Sequence, residues 1–294
     1  MIKTSRGERI FRVFNTILMI AITLICLLPL INVVALAFSS ANIAATGTVS
    51  LWPKEPTFAA FNTIMKKREF LGTFWTSTKR VLFGVPLNMI LTIMLAYPLS
   101  HEKLTFRQGY VSIVVFTMLF SGGLIPFYLV VKGLGLLNSF WSLILPFAVP
   151  VYNVILMVNF FKNVPHELEE ASIIDGAGYF RTLISIFVPC SLPSIATLTL
   201  FCVVNQWNEW FYGAIFLNRL EKMPLQTYLQ QLLNMTKTEN IQNMSMKEME
   251  QLSKINNRTL NAAQIVISTL PVLIIYPFLQ KYFVTGLTLG SVKG

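Results

Sequence analysis

Six long stretches of this chain contain no Asp, Glu, Lys or Arg, and they constrain its fold more than any other feature. They cover residues 13–53, 81–100, 108–131, 133–161, 182–208 and 259–280. A helix rises ~1.5 Å per residue, so about 20 apolar residues cross the hydrocarbon core of a bilayer. The runs are continuously apolar, whereas the strands of a membrane barrel alternate, and lipid favours backbones that satisfy their own hydrogen bonds. The sequence therefore predicts an all-α, polytopic membrane protein with six transmembrane helices.

The distribution of charge excludes several other classes of protein. Charged residues form 12% of the chain, against about 25% in soluble domains, which argues against a soluble enzyme. The net charge of +10 is spread between the apolar runs and is not gathered on one face, so we expect no nucleic acid among the partners. The lipid bilayer is the expected surrounding.

The basic residues near the N-terminus predict the orientation of the chain. Four of them lie within the first twelve positions, whereas only Lys54 follows the first span within about 15–20 residues. Excess positive charge stays on the cytoplasmic side, so we expect the N-terminus, and after six spans the C-terminus, to be cytoplasmic. In this topology Lys79 and Arg80 lie outside or at the outer interface.

The segment between the fourth and fifth runs is acidic and carries four of the thirteen acidic residues of the chain. Asn163 is a suitable cap for a helix, and Pro165 suits its first turn. Three glutamates follow where the helix dipole favours anions, and Gly176 and Gly178 end the helix. Cytoplasmic loops are usually basic, so this helix indicates a docking surface for another protein; a solvated connector is the alternative.

The same segment resembles the EAA loop of ABC importer permeases, whose pattern is Glu-Ala-Ala, three residues, Gly, nine residues, Ile, one residue and Leu-Pro. Here Glu-Ala-Ser occupies 170–172, Gly176 follows at the family spacing, and Ile-Phe-Val-Pro occupies 186–189. Ser172 and Val188 depart from the pattern without changing its spacing. In the family this loop forms a coupling helix that fits a cleft in the ATP-binding subunit. The resemblance implies ATPase-coupling roles for Glu167, Glu169, Glu170, Ala171, Ser172, Asp175 and Gly176.

Further motifs resemble the carbohydrate importer permeases related to the maltose system, especially the polysaccharide or lipoprotein-dependent group. They are Phe-Ser-Gly-Gly-Leu-Ile-Pro at 120–126, Gly-Leu-Gly-Leu-Leu-Asn-Ser-Phe-Trp at 133–141, Gln-Trp-Asn-Glu-Trp-Phe at 206–211 and a Gly-Leu-Thr ending at 286–294. By this resemblance the chain would be the second permease subunit, similar to the G subunit of the maltose system. The resemblance implies the type I ABC importer permease fold and location in a bacterial inner or plasma membrane.

The resemblance also implies the domain organisation and the partners. One permease domain is expected over residues 1–294, with an inner coupling loop at 162–181 and an outer loop at 218–258. The partners would be a second permease in a heterodimer, two ATP-binding subunits, an extracytoplasmic solute-binding protein and a sugar or oligosaccharide.

The chain carries no phosphate-binding loop of the form Gly-x4-Gly-Lys-[Ser/Thr]. We therefore expect it to bind no cofactor or metal and to have no catalytic residues, with ATP and Mg held by the partner ATPase. Ser-Gly-Gly at 121–123 resembles part of an ATPase signature, but it lies inside an apolar run, where a kink or a close helix contact is the better interpretation.

The end of the fifth run combines aromatic rings, amides and Glu209, the only carboxylate bounded by spanning sequence. Such a set suits a sugar, which offers apolar ring faces and many hydroxyls; an interfacial aromatic belt is the alternative. The possible substrate path consists of Asn205, Trp207, Asn208, Glu209, Trp210 and Tyr212.

The outer loop at 218–258 is polar, and its residues 230–233 and 247–252 are expected to be helical. In maltose-like permeases the corresponding loop contacts the binding protein, whereas a flexible connector is the alternative. The possible contacts are Tyr228, Gln230, Gln231 and Asn234.

Two other functions are alternatives to that of an importer permease. An ion-coupled secondary sugar transporter usually places ionisable residues in its interior, and few acids lie in these runs. A membrane-embedded enzyme finds little support, because Asp175 is the only Asp and both histidines, His101 and His166, lie in predicted inner loops.

Overall fold

The structure is a computed structural model that describes residues 6–66, 68–237 and 257–290. Within these ranges the regular elements are all helical, which confirms the all-α prediction. The α-helices are α1 (Arg6–Ala37), α2 (Ala41–Ala45), α3 (Ala59–Lys66), α4 (Arg68–Ser100), α5 (Arg107–Leu119), α6 (Leu124–Gly133), α7 (Val151–Lys162), α8 (His166–Ile174), α9 (Tyr179–Thr182), α10 (Val188–Cys190), α11 (Leu192–Asn208), α12 (Phe211–Phe216), α13 (Leu225–Lys237) and α14 (Asn257–Gly290). Short 3₁₀ turns occupy Phe140–Leu143, Leu145–Phe147 and Leu220–Lys222, and a π-helical turn occupies Leu183–Phe187.

Three helical stretches of the described residues are long and apolar enough to cross a membrane. They are Gly7–Ala37, Arg68–Ser100 and Arg258–Pro277. Three further pairs of helices pass the same test but are bent by 110°, 44° and 84° at the break between their halves. The described chain therefore has three to six spans, six being reached when each bent pair counts as one.

The first of these bends separates α5 from α6 by 110°. Gly123 lies at the break with a φ of +87°, a conformation that a residue without a Cβ adopts readily. This confirms the interpretation of residues 121–123 as a kink.

The fifth apolar run departs from a straight helix. An 84° bend separates Tyr179–Cys190 from Leu192–Asn208, with Pro189 and Pro193 on either side of Ser191. Prolines remove backbone donors and clash with the preceding turn, so a kink between them is expected. The helix ends at Asn208, where the apolar run ends, and Glu209 is extended.

Two helices are longer than the apolar runs indicate. The helix α4 begins at Arg68, well before the run that starts at residue 81, and therefore includes Arg80. The helix α14 continues to Gly290, past the end of the sixth run at residue 280. Both helices therefore extend through charged residues, beyond the limits of their apolar runs.

The chain packs as two compact units, Met1–Arg68 with Leu229–Thr269 and Glu69–Tyr228 with Leu270–Gly294. In the first unit, the rings of Phe38, Phe58 and Phe61 form a cluster with centroids 4.8–6.3 Å apart. These are packing units, and the prediction of one permease domain over residues 1–294 stays a prediction.

The second unit has a core between α4, α7 and the two halves of the fifth apolar run. Side chains of all of these elements are buried there, including Met89, Tyr97, Met157, Phe187 and Leu198. This core fixes α4 against the segment that carries Glu209, and so it positions the site described next.

Candidate functional site

The second unit contains a cavity of about 610 Å³. It is bounded by α4, by the turn before α7, by α7 itself and by the end of the fifth apolar run. Its lining residues are Arg80, Asn88, Phe147, Pro150, Val151, Tyr152, Asn153, Phe201, Cys202, Asn205, Gln206, Glu209 and Tyr212. Amides, aromatic rings and one pair of opposite charges thus meet inside an apolar bundle.

The charges in the lining are paired with each other. Arg80 is 2% exposed, and its Nη1 donates to Glu209 Oε2 at 2.9 Å and to the Glu209 carbonyl at 3.2 Å. The other carboxylate oxygen of Glu209 accepts from the backbone N–H of Tyr212 at 2.8 Å. Removing one partner of a buried pair strands a charge at a cost of about 3–5 kcal/mol, so each group holds the other in place.

A chain of amides continues from Arg80 along the cavity wall. Arg80 Nε donates to Gln206 Oε1 at 2.8 Å, and Gln206 Nε2 donates to Asn88 Oδ1 at 2.8 Å. The Asn88 amide then donates to the carbonyls of Phe147 and Ala148 at 2.8 and 2.9 Å. This chain fixes the orientation of three polar side chains and joins α4, α11 and the turn before α7.

Gly84 makes room for this arrangement. A Cβ at this position would lie 3.0 Å from the amide carbon and nitrogen of Gln206, closer than real side chains normally approach. The Gln206 amide therefore packs directly on the backbone of α4, and the absence of a side chain at residue 84 permits the hydrogen-bonded chain.

Aromatic rings form the remaining wall. The Tyr212 ring lies 4.5 Å from that of Phe147 and 5.6 Å from that of Phe127, measured between centroids. Rings beside fixed amides offer both apolar contact and hydrogen bonds, which is the chemistry that a sugar requires.

The structure divides the six residues predicted for the substrate path. Asn205, Glu209 and Tyr212 line the cavity, whereas Trp207, Asn208 and Trp210 do not. Trp207 is 4% exposed, with its ring edge-on to Phe74 at 5.8 Å. Within α11 successive residues differ by about 100° in direction, and the helix ends at Asn208, so the six positions do not share one face.

Five further polar lining residues were not among those predicted for the path: Arg80, Asn88, Tyr152, Asn153 and Gln206. Arg80 was predicted to lie outside or at the outer interface, and the structure adds that its side chain is buried in the bundle. Its partner Glu209 follows 129 residues later, so local sequence carried no sign of the pair. Asn88, an amide in the middle of an apolar run, was the available signal.

The predicted coupling segment forms the helix α8, which contains the expected glutamates. Pro165 directly precedes α8. Asn163 was predicted to cap this helix, but it ends α7 instead. Gly176 follows with a φ of +77°, as the predicted sharp exit requires. The structure thus places Glu167, Glu169, Glu170, Ala171, Ser172, Asp175 and Gly176 in one short element and its exit.

The seven residues of this segment do not share one environment. Most are exposed, among them Glu167, Glu170 and Gly176, but Ser172 is buried and Glu169 has a side chain only 15% exposed. The Ser172 hydroxyl lies 2.9 Å from that of Thr182. Ser172 replaces the second Ala of the family pattern, and an Ala could not make this contact. Large apolar side chains surround the acidic ones on the exposed side, with Ile174 at 85%.

Part of the predicted outer loop is helical. The helix α13 (Leu225–Lys237) contains residues 230–233, as predicted, while residues 238–256, including the helix expected at 247–252, lie outside the described residues. Tyr228 is buried, and burial together with the Glu69 carboxylate raises the pKa of its phenol. Gln230 and Gln231 are half-buried, and the side chain of Asn234 lies outside the description.

These features define a membrane transport subunit, and comparison with known proteins gives its family. Residues 4–289 match the family described as "Binding-protein-dependent transport system inner membrane component", and the chain belongs to it. The predicted ABC importer permease is thereby confirmed. It is a non-catalytic translocation subunit, and the alternatives of a secondary carrier and a membrane enzyme are set aside.

Two relatives from Bacillus subtilis (strain 168) cover nearly the whole chain. The polygalacturonan/rhamnogalacturonan transport system permease protein YtcP is 40% identical over 96% of this chain and 97% of its own length. Protein LplC is 37% identical over 99% and 97%, respectively.

A solved structure is similar in fold and in sequence. It is a chain of the crystal structure of a bacterial ABC transporter involved in the import of the acidic polysaccharide alginate. It has a TM-score of 0.86 and 32% identity, covering 96% of this chain and 100% of that one. This match confirms the predicted permease fold.

Proposed function

We propose that this chain is the permease subunit through which a bacterial importer moves a sugar or oligosaccharide into the cell. The observation that carries the proposal is the cavity with fixed amides and aromatic rings inside an apolar helical bundle. The names of YtcP and of the alginate transporter, both concerned with polysaccharides, support the same class of substrate. Both termini of the chain are proposed to be cytoplasmic.

Substrate contact is assigned to the cavity face of the fifth span and to α4. Tyr152, Asn205 and Tyr212 line the cavity without belonging to the chain of amides between Arg80 and Asn88, so they are side chains available to a sugar. Arg80, Glu209 and Gln206 hold one another and shape the wall behind them.

The helix α8 is proposed to dock in an ATP-binding subunit. An exposed helix that combines carboxylates with Ile173, Ile174 and, just beyond it, Tyr179 and Phe180 offers both charge and apolar area to a partner. Two such subunits would bind ATP and Mg, since this chain has no phosphate loop.

A second permease subunit and a solute-binding protein complete the proposed assembly. None of the 13 residues of α5 is buried in the described structure, which leaves apolar surface that a heterodimer would cover in part. The outer loop that begins with α13 is proposed to meet the binding protein, through Gln230, Gln231 and the region of Asn234 rather than through the buried Tyr228.

Reconstitution tests this function. The complex of both permeases, ATPase and binding protein in vesicles should take up labelled oligosaccharide only with ATP, and a protonophore should have no effect at constant ATP. Asn205→Leu should lower uptake, while the matched change Asn208→Leu, on an exposed residue outside the cavity lining, should leave it unchanged. Uptake that needs a proton gradient, or equal effects of both changes, would refute the proposal.

A further inference from the structure

The side chain of His101, just beyond the end of α4, makes two short polar contacts. Its Nε2 lies 2.7 Å from Glu169 Oε1 on α8, and its Nδ1 lies 2.7 Å from the carbonyl oxygen of Tyr97. A carbonyl oxygen only accepts hydrogen bonds, and so does an ionised carboxylate. Both ring nitrogens therefore donate in this geometry, which fits an imidazolium and makes the bond to Glu169 charge-assisted.

The position of His101 in the fold suits that charge. The last carbonyl groups of a helix lack intrahelical partners and carry partial negative charge, so a cation near them is stabilised. The Tyr97 carbonyl is one of these groups, and it accepts from Ser100 Oγ at 2.6 Å as well as facing His101.

Aromatic rings enclose the contact on its other sides. The His101 ring is edge-on to Tyr97 at 4.6 Å and lies 5.7 Å from Phe187, and Phe187 is 5.5 Å from Phe161. The side chains of His101 and Glu169 are 21% and 15% exposed, so water competes little for their hydrogen bond. The contact thus joins α4, α7, α8 and the π-helical turn after α9.

His166 is the other histidine near Glu169, and it differs in each of these respects. Its Nδ1 is 4.0 Å from Glu169 Oε2, and its side chain is 79% exposed. An exposed pair at this distance contributes little, so the contact with His101 is the one that holds Glu169.

We propose that His101 is a positioning residue that fastens the acidic helix α8 to α4, so that movement of α8 is passed to α4 by the bond between His101 and Glu169. This inference rests on the proposed docking of α8 in an ATPase. It separates Glu169, which faces the bundle, from Glu167 and Glu170, which are exposed to a partner.

A second ion pair on α4, between Arg80 and Glu209, connects the bond between His101 and Glu169 to the cavity wall. Arg80 on α4 holds Glu209, so the chain from residue 169 to residue 209 is fastened to α4 at both ends. Between them the backbone bends by 84°, whereas α4 is one helix from Arg80 to Ser100, about 30 Å along its axis. The continuous helix α4, which contains Pro86 and Pro98, is therefore the more direct route from α8 to the cavity wall.

The test measures uptake and ATP hydrolysis together in the reconstituted complex. His101→Gln and Glu169→Gln should each lower the amount of sugar moved per ATP hydrolysed about tenfold, the size expected for loss of one charge-assisted hydrogen bond. The double change should be no worse than either single change, since both remove the same bond. His101→Arg, which keeps the charge and donors for both acceptors, should restore most of the ratio.

Co-purification of the ATPase separates this inference from the proposed docking. The His101 and Glu169 variants should keep the ATPase bound, whereas Ile174→Ser, on the exposed side of α8, should release it. Retention of the ATPase by Ile174→Ser would refute the docking. A normal ratio in His101→Gln, additive losses in the double variant, or no rescue by His101→Arg would each refute the role of His101 while leaving the docking intact.

Discussion

The cavity and the exposed side of α8 use charged residues in opposite ways. In the cavity, Arg80 and Glu209 lie 2.9 Å apart and are almost completely enclosed. On α8, Glu167 and Glu170 are exposed beside apolar side chains such as Ile174. The first arrangement is complete within the chain, while the second gains its energy only when a partner covers it. A substitution in the pair of Arg80 and Glu209 should therefore damage the fold, and one on the exposed side of α8 should damage assembly.

The largest effect is expected from stranding one charge in the cavity. Arg80→Met leaves Glu209 without its cation and should lower the stability of the purified protein by about 3–5 kcal/mol, seen as a marked fall in its unfolding temperature in detergent. Adding Glu209→Gln removes the unpaired charge and should recover most of the loss. Equal stabilities of single and double variants would show that the two residues are not coupled.

A smaller effect, on assembly more than on folding, is expected at the exit from α8. Gly176→Ala forces a Cβ into a φ of +77°, at a cost of about 1–2 kcal/mol, and should shift the exit and weaken ATPase co-purification at an unchanged membrane level. Gly178→Ala is the matched control. Neither glycine has atoms within 4 Å of an added Cβ, and Gly178 has an ordinary φ of −75°. Identical ATPase yields for the two variants would contradict this expectation.

The smallest effect is expected from one exposed glutamate. Glu170→Lys should leave the unfolding temperature unchanged and weaken ATPase association by at most about 1 kcal/mol, because solvent screens exposed pairs. Titration of ATPase binding at two salt concentrations measures it, and the difference between variant and wild type should shrink at high salt. A fall in unfolding temperature comparable to that of Arg80→Met would erase the contrast between the two regions.

The class of fold could be predicted from the charge-free runs, because each run must satisfy its own backbone hydrogen bonds in lipid. The break at Gly123 and the helix α8 could also be predicted, because each depends on residues that lie close together in the sequence. The burial of Arg80 was not, because it depends on Glu209, far along the chain. Nor could spacing show that Glu169 faces inward, since that orientation depends on His101 at the end of α4.

The contact at Gly84 links the closest approach of α4 and α11 to the hydrogen-bonded chain of amides. The Gln206 amide lies 3.0 Å from where a Cβ of residue 84 would stand, so bringing these helices closer at this point would displace a side chain that bonds to both Arg80 and Asn88. Any narrowing of the cavity at this point would therefore also disturb the bonds that orient Arg80 and Asn88 in its wall.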